Sequence, residues 1–436
     1  MSHPYALTAA DPPSPNVPPD PLQCQENAGE EREVQNGPSS ARGGHPNGAF
    51  RRMFLASLSS AVAFRALGVV YPLIALGATH SPAMAGWVGF AWTIPGVVAY
   101  IPAGVLVDRW GPRRVMLITE GVRIAFAASV LAAALTGGVT LIHLIVAAFV
   151  EGTMWILYSL AETALVPALV DDSRIDRSNA RLETGSQLAA LAGRPLGGFL
   201  LVSGPVMPFA INVALFTGSL FLVWRIRERR GTRQPRGRTT GIKLWPDEHF
   251  LRALAVTTLF TNFMIHMLIM VFITGSAQMS STTVGLVLAA GGIGGAIASS
   301  VANWITPPGS MLLLQIWTWT LALLIAAVWS GPVGFGIALF LSGCIGGLSN
   351  VALRSFESRH IDEERRARVA SVSRLAGRVG MAVAAPLGGL FVHWFQMKPA
   401  AWILCGFMAV AALLVSSVPT LRKWFGVTWK REVVAT

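Results

Sequence analysis

Apolar stretches of about twenty residues, each long enough to cross a bilayer as a helix, alternate with short polar connections along the whole chain after residue 50. Reading between polar or Gly/Pro breaks gives twelve runs, at 52–77, 83–107, 114–136, 139–166, 182–203, 207–225, 251–274, 282–304, 310–330, 333–354, 368–394 and 399–420. The runs are long and do not alternate with period two, so a strand barrel is excluded. The pattern predicts an all-α integral membrane protein.

The polar positions are distributed as unevenly as the apolar ones. With the N-terminus placed inside, the connections after spans 2, 4, 6 and 10 and the C-terminal tail hold 23 Arg and Lys residues. Every opposite connection together holds only Lys398. Basic residues are retained on the cytoplasmic side, so both termini are expected in the cytoplasm, with the protein in the inner or plasma membrane. This asymmetry also accounts for the net charge of +12, which therefore calls for no nucleic-acid partner. The charged fraction, 13%, is about half that of a soluble domain. The three cysteines lack paired spacing and imply neither a disulfide framework nor a metal site.

Domain boundaries follow from composition. Residues 1–49 hold nine prolines and no apolar run, and read as a disordered cytoplasmic tail. Residues 50–225 form a first set of six spans, 226–249 a basic cytoplasmic linker, 250–420 a second set of six, and 421–436 a cytoplasmic tail. The two sets repeat each other. "GRPLGGFLLV" in span 5 and "AAPLGGLFV" in span 11 place Pro195 and Pro386 191 residues apart, and Arg177 and Arg368 share that offset. Equivalent spans with equal orientation indicate a parallel repeat and two six-helix bundles. Gly193, Pro195, Gly197, Gly198, Pro386, Gly388 and Gly389 are expected to supply close packing and bending.

Between spans 2 and 3 lies "AGVLVDRWGPRRVML", a charged elbow in an otherwise apolar region. Gly104, Asp108, Arg109 and Gly111, followed by Arg113 and Arg114, match Gly-x-x-x-Asp-Arg-x-Gly and its trailing basic residues. This resembles the loop signature of the major facilitator superfamily, at the place in the span order where that family has it. The stretches around "GRPLGG", "KLWPDEHFLRALAV" and "RARVASVSRLAGRVG" resemble the multidrug and macrolide-efflux branch, which includes siderophore exporters. The resemblance covers roughly residues 50–420. It implies alternating access, a central path lined by spans 1, 4, 7 and 10, and an Asp108 that engages the start of span 11, from Arg366 to Arg374, when the cytoplasmic side is closed. Three positions depart from the branch: Ala148 stands where proton antiporters carry arginine, Arg194 where the span-5 signature has proline, and "NWITPPGS" lacks the charges of the first-half loop.

Ionisable groups within a span are costly and face a cavity or a partner. Arg65 in span 1 and Glu151 in span 4 are expected to pair. Glu151, Trp155, Tyr158 and Glu162 fall on one helical face and suit a cationic or amphipathic ligand. Glu120 and Arg123 in span 3 are one turn apart and read as a local pair. Arg194 lies near mid-span 5, Asn262 and His266 share a face of span 7, and Arg374 and Arg378 are placed to snorkel. No cluster has metal-ligand spacing, no phosphate-binding loop appears, and neither enzymatic activity nor a cofactor is expected. The expected function is export of a small organic compound, with protons as coupling ion and the chain acting as a monomer. Uptake on the same fold, or a non-transporting receptor, are the alternatives.

Overall fold

The computed structural model describes residues 46–226, 249–305, 311–360 and 363–417. Residues 1–45 of the predicted N-terminal tail, most of the predicted linker and the predicted C-terminal tail lie outside these residues. Twelve helical rods run side by side: α1 (Pro46–Thr79), α2 (Pro82–Thr93, Pro95–Val98 and Tyr100–Trp110), α3 (Pro112–Leu135), α4 (Leu141–Leu169), α5 (Ile175–Leu201), α6 (Val206–Trp224), α7 (His249–Gly275), α8 (Ser281–Ile305), α9 (Met311–Val328), α10 (Pro332–His360), α11 (Glu363–Phe395) and α12 (Met397–Ser417). Helices prevail because the hydrocarbon offers no partner for backbone N–H and C=O groups. Large apolar side chains such as Ile142, Phe199 and Val333 remain exposed on the outer surface, where lipid covers them.

Each rod corresponds to one predicted span. Several helices overrun the apolar limits at the arginine-rich end, because a helix continues into polar surroundings where hydropathy falls. α1 begins at Pro46, inside the segment expected to be tail. Among the described residues, nine helices are long and apolar enough to cross a membrane alone, and the bent α2 pair makes ten. α9 is short in its apolar part, Leu313–Val328. α5 carries Arg177, Arg181, Glu183 and Arg194, too much charge to register as apolar.

Two proline effects shape α2. Pro102 lacks the N–H that would reach Val98, and the axis turns 60° where Pro82–Val98 meets Tyr100–Trp110. Pro95 starts the short middle segment. At the end of α2 a single residue, Gly111, reverses the chain with φ +86°, a conformation that favours glycine. Pro112 then occupies the first turn of α3, where a missing N–H costs nothing.

Buried apolar side chains form two clusters within the first half and a third dominated by the second half. The halves meet through two equivalent helix pairs, α2 with α11 and α5 with α8. Each pair crosses glycine on glycine. A Cβ at Gly86 would lie 3.1 Å from Gly389 Cα, and one at Gly285 would lie 3.1 Å from Gly198 Cα. Gly198 and Gly389 are the repeat mates of the two PLGG motifs, and both crossings lie away from the arginine-rich end. Gly193 and Gly197 bring α5 against Arg65 and Ala66 of α1, and Gly388 brings α11 against Met270 of α7.

Candidate functional site

Just beneath the glycine crossings, a cavity of about 320 Å³ lies between the halves. α1, α2, α4 and α5 line it from one side, and α7, α8 and α11 from the other. The broken part of α2 contributes Trp92, Thr93 and Gly96, and α1 contributes Gly68 and Pro72 around its internal proline. Gly152 of α4 lets that helix approach α2: a Cβ there would meet Pro95 at 3.2 Å.

Phe64, Trp92 and Trp155 form an aromatic wall on the first-half side. The rings of Phe64 and Trp155 stack with centroids 4.4 Å apart, and Phe64 stacks equally close on Trp92. All three rings line the cavity, and Phe64 and Trp155 also lie within 6 Å of the Arg123 guanidinium, which sits closest, at 4.0 Å, to Phe216.

Arg123 is the centre of a buried polar network inside the first bundle. Its Nε donates to Glu151 Oε1 at 2.6 Å, and its Nη1 donates to Ser60 Oγ. Nη1 also lies 3.6 Å from Glu120 Oε2. Ser219 Oγ donates to Glu120 Oε1 at 2.8 Å, which leaves Tyr158 as donor in the 3.4 Å contact between its hydroxyl and Ser219. Glu120, Arg123, Glu151, Tyr158, Ser60 and Ser219 are all buried, and α1, α3, α4 and α6 each contribute to the network. Glu120 Oε2, Glu151 Oε2 and Arg123 Nη2 have no hydrogen-bond partner among the described residues. Two carboxylates thus face one guanidinium.

This corrects two expectations. Glu151 pairs with Arg123, not with Arg65, because its part of the α4 face is turned into the bundle towards α3. The acid–aromatic stripe does not present acids to the cavity either. Trp155 lines it, Glu151 and Tyr158 point into the network, and Glu162 is half-buried beyond them. The cationic partner of the aromatic faces is the protein's own Arg123. The local pair of Glu120 with Arg123 is present, as one arm of the larger network. The signal available in the sequence was a pair of opposite charges in span 3 at a depth comparable with Glu151.

The remaining site residues divide between the cavity and the periphery. Arg65, Arg194 and His266 line the cavity. His266 Nδ1 is 2.9 Å from the Asn262 carbonyl, to which it must donate. Asn262 itself stays outside the cavity, donating to Thr258 and packing on Gly377. Arg378 does not snorkel: it lies 4.6 Å from the Tyr100 ring centre and lines the cavity, while Arg374 is exposed. In the elbow, Gly104 and Asp108 lie on the last segment of α2, and Arg109 and Arg114 are exposed. Arg113 donates to the Trp224 carbonyl at 2.6 Å and Arg52 to the Arg225 carbonyl at 3.0 Å, so both cap the C-terminus of α6. The side chains of 366–371, within the expected target of Asp108, lie outside the described residues.

The family model described as Major Facilitator Superfamily matches residues 53–385 and 253–426. An uncharacterized MFS-type transporter, y4rN, of Sinorhizobium fredii is 27% identical over 391 residues, covering 84% of this chain and 94% of its own. The enterobactin exporter EntS of Salmonella typhimurium is 27% identical over 413 residues, covering 87% of this chain and 94% of its own. The solved nucleoside transporter NupG superposes with a TM-score of 0.63 at 14% identity, covering 84% of this chain and 98% of that one. Twelve helices in two repeated sets, a charged elbow after the second, a cavity between the halves and a family match across both halves lead to one conclusion: the chain belongs to the Major Facilitator Superfamily of membrane transporters.

Proposed function

We propose that this transporter exports a small organic compound by alternating access, driven by protons. The observation that carries the reading is the composition of the buried network: two carboxylates, one guanidinium and no further charge. With all three ionised the cluster holds one uncompensated negative charge in a buried interior, a state that is costly. One proton on Glu120 or Glu151 restores neutrality. The trio is therefore a site for one exchangeable proton, with Glu151 as its responsive member.

The geometry suits coupling to substrate. Arg123, on α3, holds α1 through Ser60 and α4 through Glu151, and reaches Glu120 on its own helix. Protonation of Glu151 weakens its charge-assisted bond and frees Arg123 to shift towards Glu120. Phe64 and Trp155 stand between the guanidinium and the cavity, so a ligand packed on them is one ring away from the proton site. The halves, 50–225 and 250–420, then rock about the PLGG crossings while the 226–249 linker joins them on the cytoplasmic side. Asp108 is the latch that engages α11 when that side closes. The outward direction is supported by the relatives named as enterobactin exporters. The test is flux of a solute, found by challenging an efflux-deficient host with a compound panel, under an imposed pH gradient, in the native chain and in Glu151→Gln.

A further inference from the structure

We infer that the compound bound in this cavity is an organic anion with a flat apolar body. The inference rests on the reading of the cavity as the substrate site and adds the charge of what it carries. The ionisable side chains in the lining are Arg65, Arg194, His266 and Arg378, and among the described residues no Asp or Glu lines it. None of the three arginines lies within ion-pair distance of a carboxylate among the described residues. Arg65 Nε is buried without a hydrogen-bond partner. Arg65, Arg194 and His266 line the same cavity. Glu183 of α5 is exposed and lies outside the cavity.

Unpaired guanidinium groups in a membrane interior are expensive to keep, and groups of this kind mark a substrate path. A guanidinium presents a planar fork of donors that matches a carboxylate or another oxyanion. The rest of the lining selects against a bare inorganic ion. Phe64, Trp92 and Trp155 on one side and Met270 and Met381 on the other provide apolar and aromatic surface. The volume lies at the lower end of the range for small-molecule pockets, about 300–1,000 Å³. Arg65 and Arg194 belong to the first half and Arg378 to the second, so one anion reaching all three ties the halves together around itself. The network's excess negative charge is sealed behind the aromatic wall and makes no direct contact with such a ligand.

The test uses the purified full chain in lipid nanodiscs with three probes of one shape: 2-naphthoate, 2-naphthamide and 2-naphthylmethylammonium. Equilibrium dialysis measures affinity, and loss of probe-induced tryptophan quenching in Trp92→Phe and Trp155→Phe places the probe. No gradient is imposed, so the result is independent of direction and proton coupling. A naphthoate affinity about tenfold or more above that of the amide is expected, with the cation weakest. Arg65→Gln, Arg194→Gln and Arg378→Gln should each bring the naphthoate-to-amide ratio towards one. Lys at the same positions should retain part of it, and Arg51→Gln, at the exposed start of α1, all of it. Thermal unfolding checks that each variant is folded. The inference is overturned if the cation binds as tightly as the anion, if the ratio survives the glutamine substitutions in folded protein, or if naphthoate shows no binding at about 1 mM. Failure here would leave proton-driven export of a neutral or cationic compound intact. Loss of gradient drive with intact naphthoate selectivity would do the reverse.

Discussion

Arg123 has more partners than any other ionic side chain described. It ties three helices by polar contacts and lies over three aromatic rings. Alanine at this position strands Glu120 and Glu151 without a cation, and breaking a buried ion pair in this way costs about 3–5 kcal/mol. Lysine restores the charge but not the fork that reaches Glu151, Ser60 and Glu120 together. Thermal unfolding in detergent should rank the native chain above Arg123→Lys, and Arg123→Lys above Arg123→Ala. An alanine variant as stable as the native chain would show the network to be energetically idle. The charged residues themselves were legible in the sequence, since each interrupts an apolar run. Their pairing was not. The spacing of 151, 155, 158 and 162 names a face of α4 but not the neighbour it meets. Arg123 beside Glu120 looked self-sufficient at i, i+3, and Arg65 was the nearer candidate only in the absence of a fold. The role of Arg113 was hidden for a similar reason, because its partner is a backbone carbonyl 111 residues away.

At the scale of elements, the repeated PLGG motifs proved to sit at the two symmetric crossings. Small residues there let backbones touch, with Gly389 against Gly86 and Gly198 against Gly285. A side chain at Gly389 would enter the space of Gly86 Cα, 2.9 Å from a Cβ, and of the Pro82 carbonyl. Gly389→Leu should therefore part α2 from α11 at the end opposite the arginine-rich loops. With the three native cysteines replaced and one cysteine placed at Leu288 in the cavity lining, an impermeant thiol reagent applied from that face should label several-fold faster in Gly389→Leu. Equal labelling would mean that this crossing does not govern access. Helix number and order were readable from hydropathy, because a bilayer demands long apolar runs. The α2 bend and the overrun of α5, α10 and α11 were not. The bend depends on two prolines acting within a continuous apolar run, and the overruns lie in polar sequence where helix and loop look alike.

For the whole molecule, the distribution of basic residues predicts an orientation that the helix bundle alone leaves open. A fluorescent protein that matures only in the cytoplasm, fused after Thr436, should fluoresce. A phosphatase active only outside, inserted between Gly137 and Gly138, should be active. The reverse pattern would invert the membrane orientation and turn the proposed exporter towards uptake. The cavity between halves belongs to this scale as well. Its charge emerged only when α1, α5 and α11 were brought together, since Arg65, Arg194 and Arg378 lie far apart in the chain and each, taken singly, suited a different role. On the proposed reading, Glu151 and Arg123 likewise act on the cavity only through Phe64 and Trp155, whose rings line it.

The most direct measurement is solute flux in proteoliposomes with and without an imposed pH gradient, comparing the native chain with Glu151→Gln. The native chain should accelerate under the gradient by about tenfold or more, a difference of roughly 1.4 kcal/mol in activation free energy. Glu151→Gln should lose that acceleration while still exchanging solute at equal pH. Equal acceleration in both would contradict the account, because Glu151 would then not be the group that carries the proton.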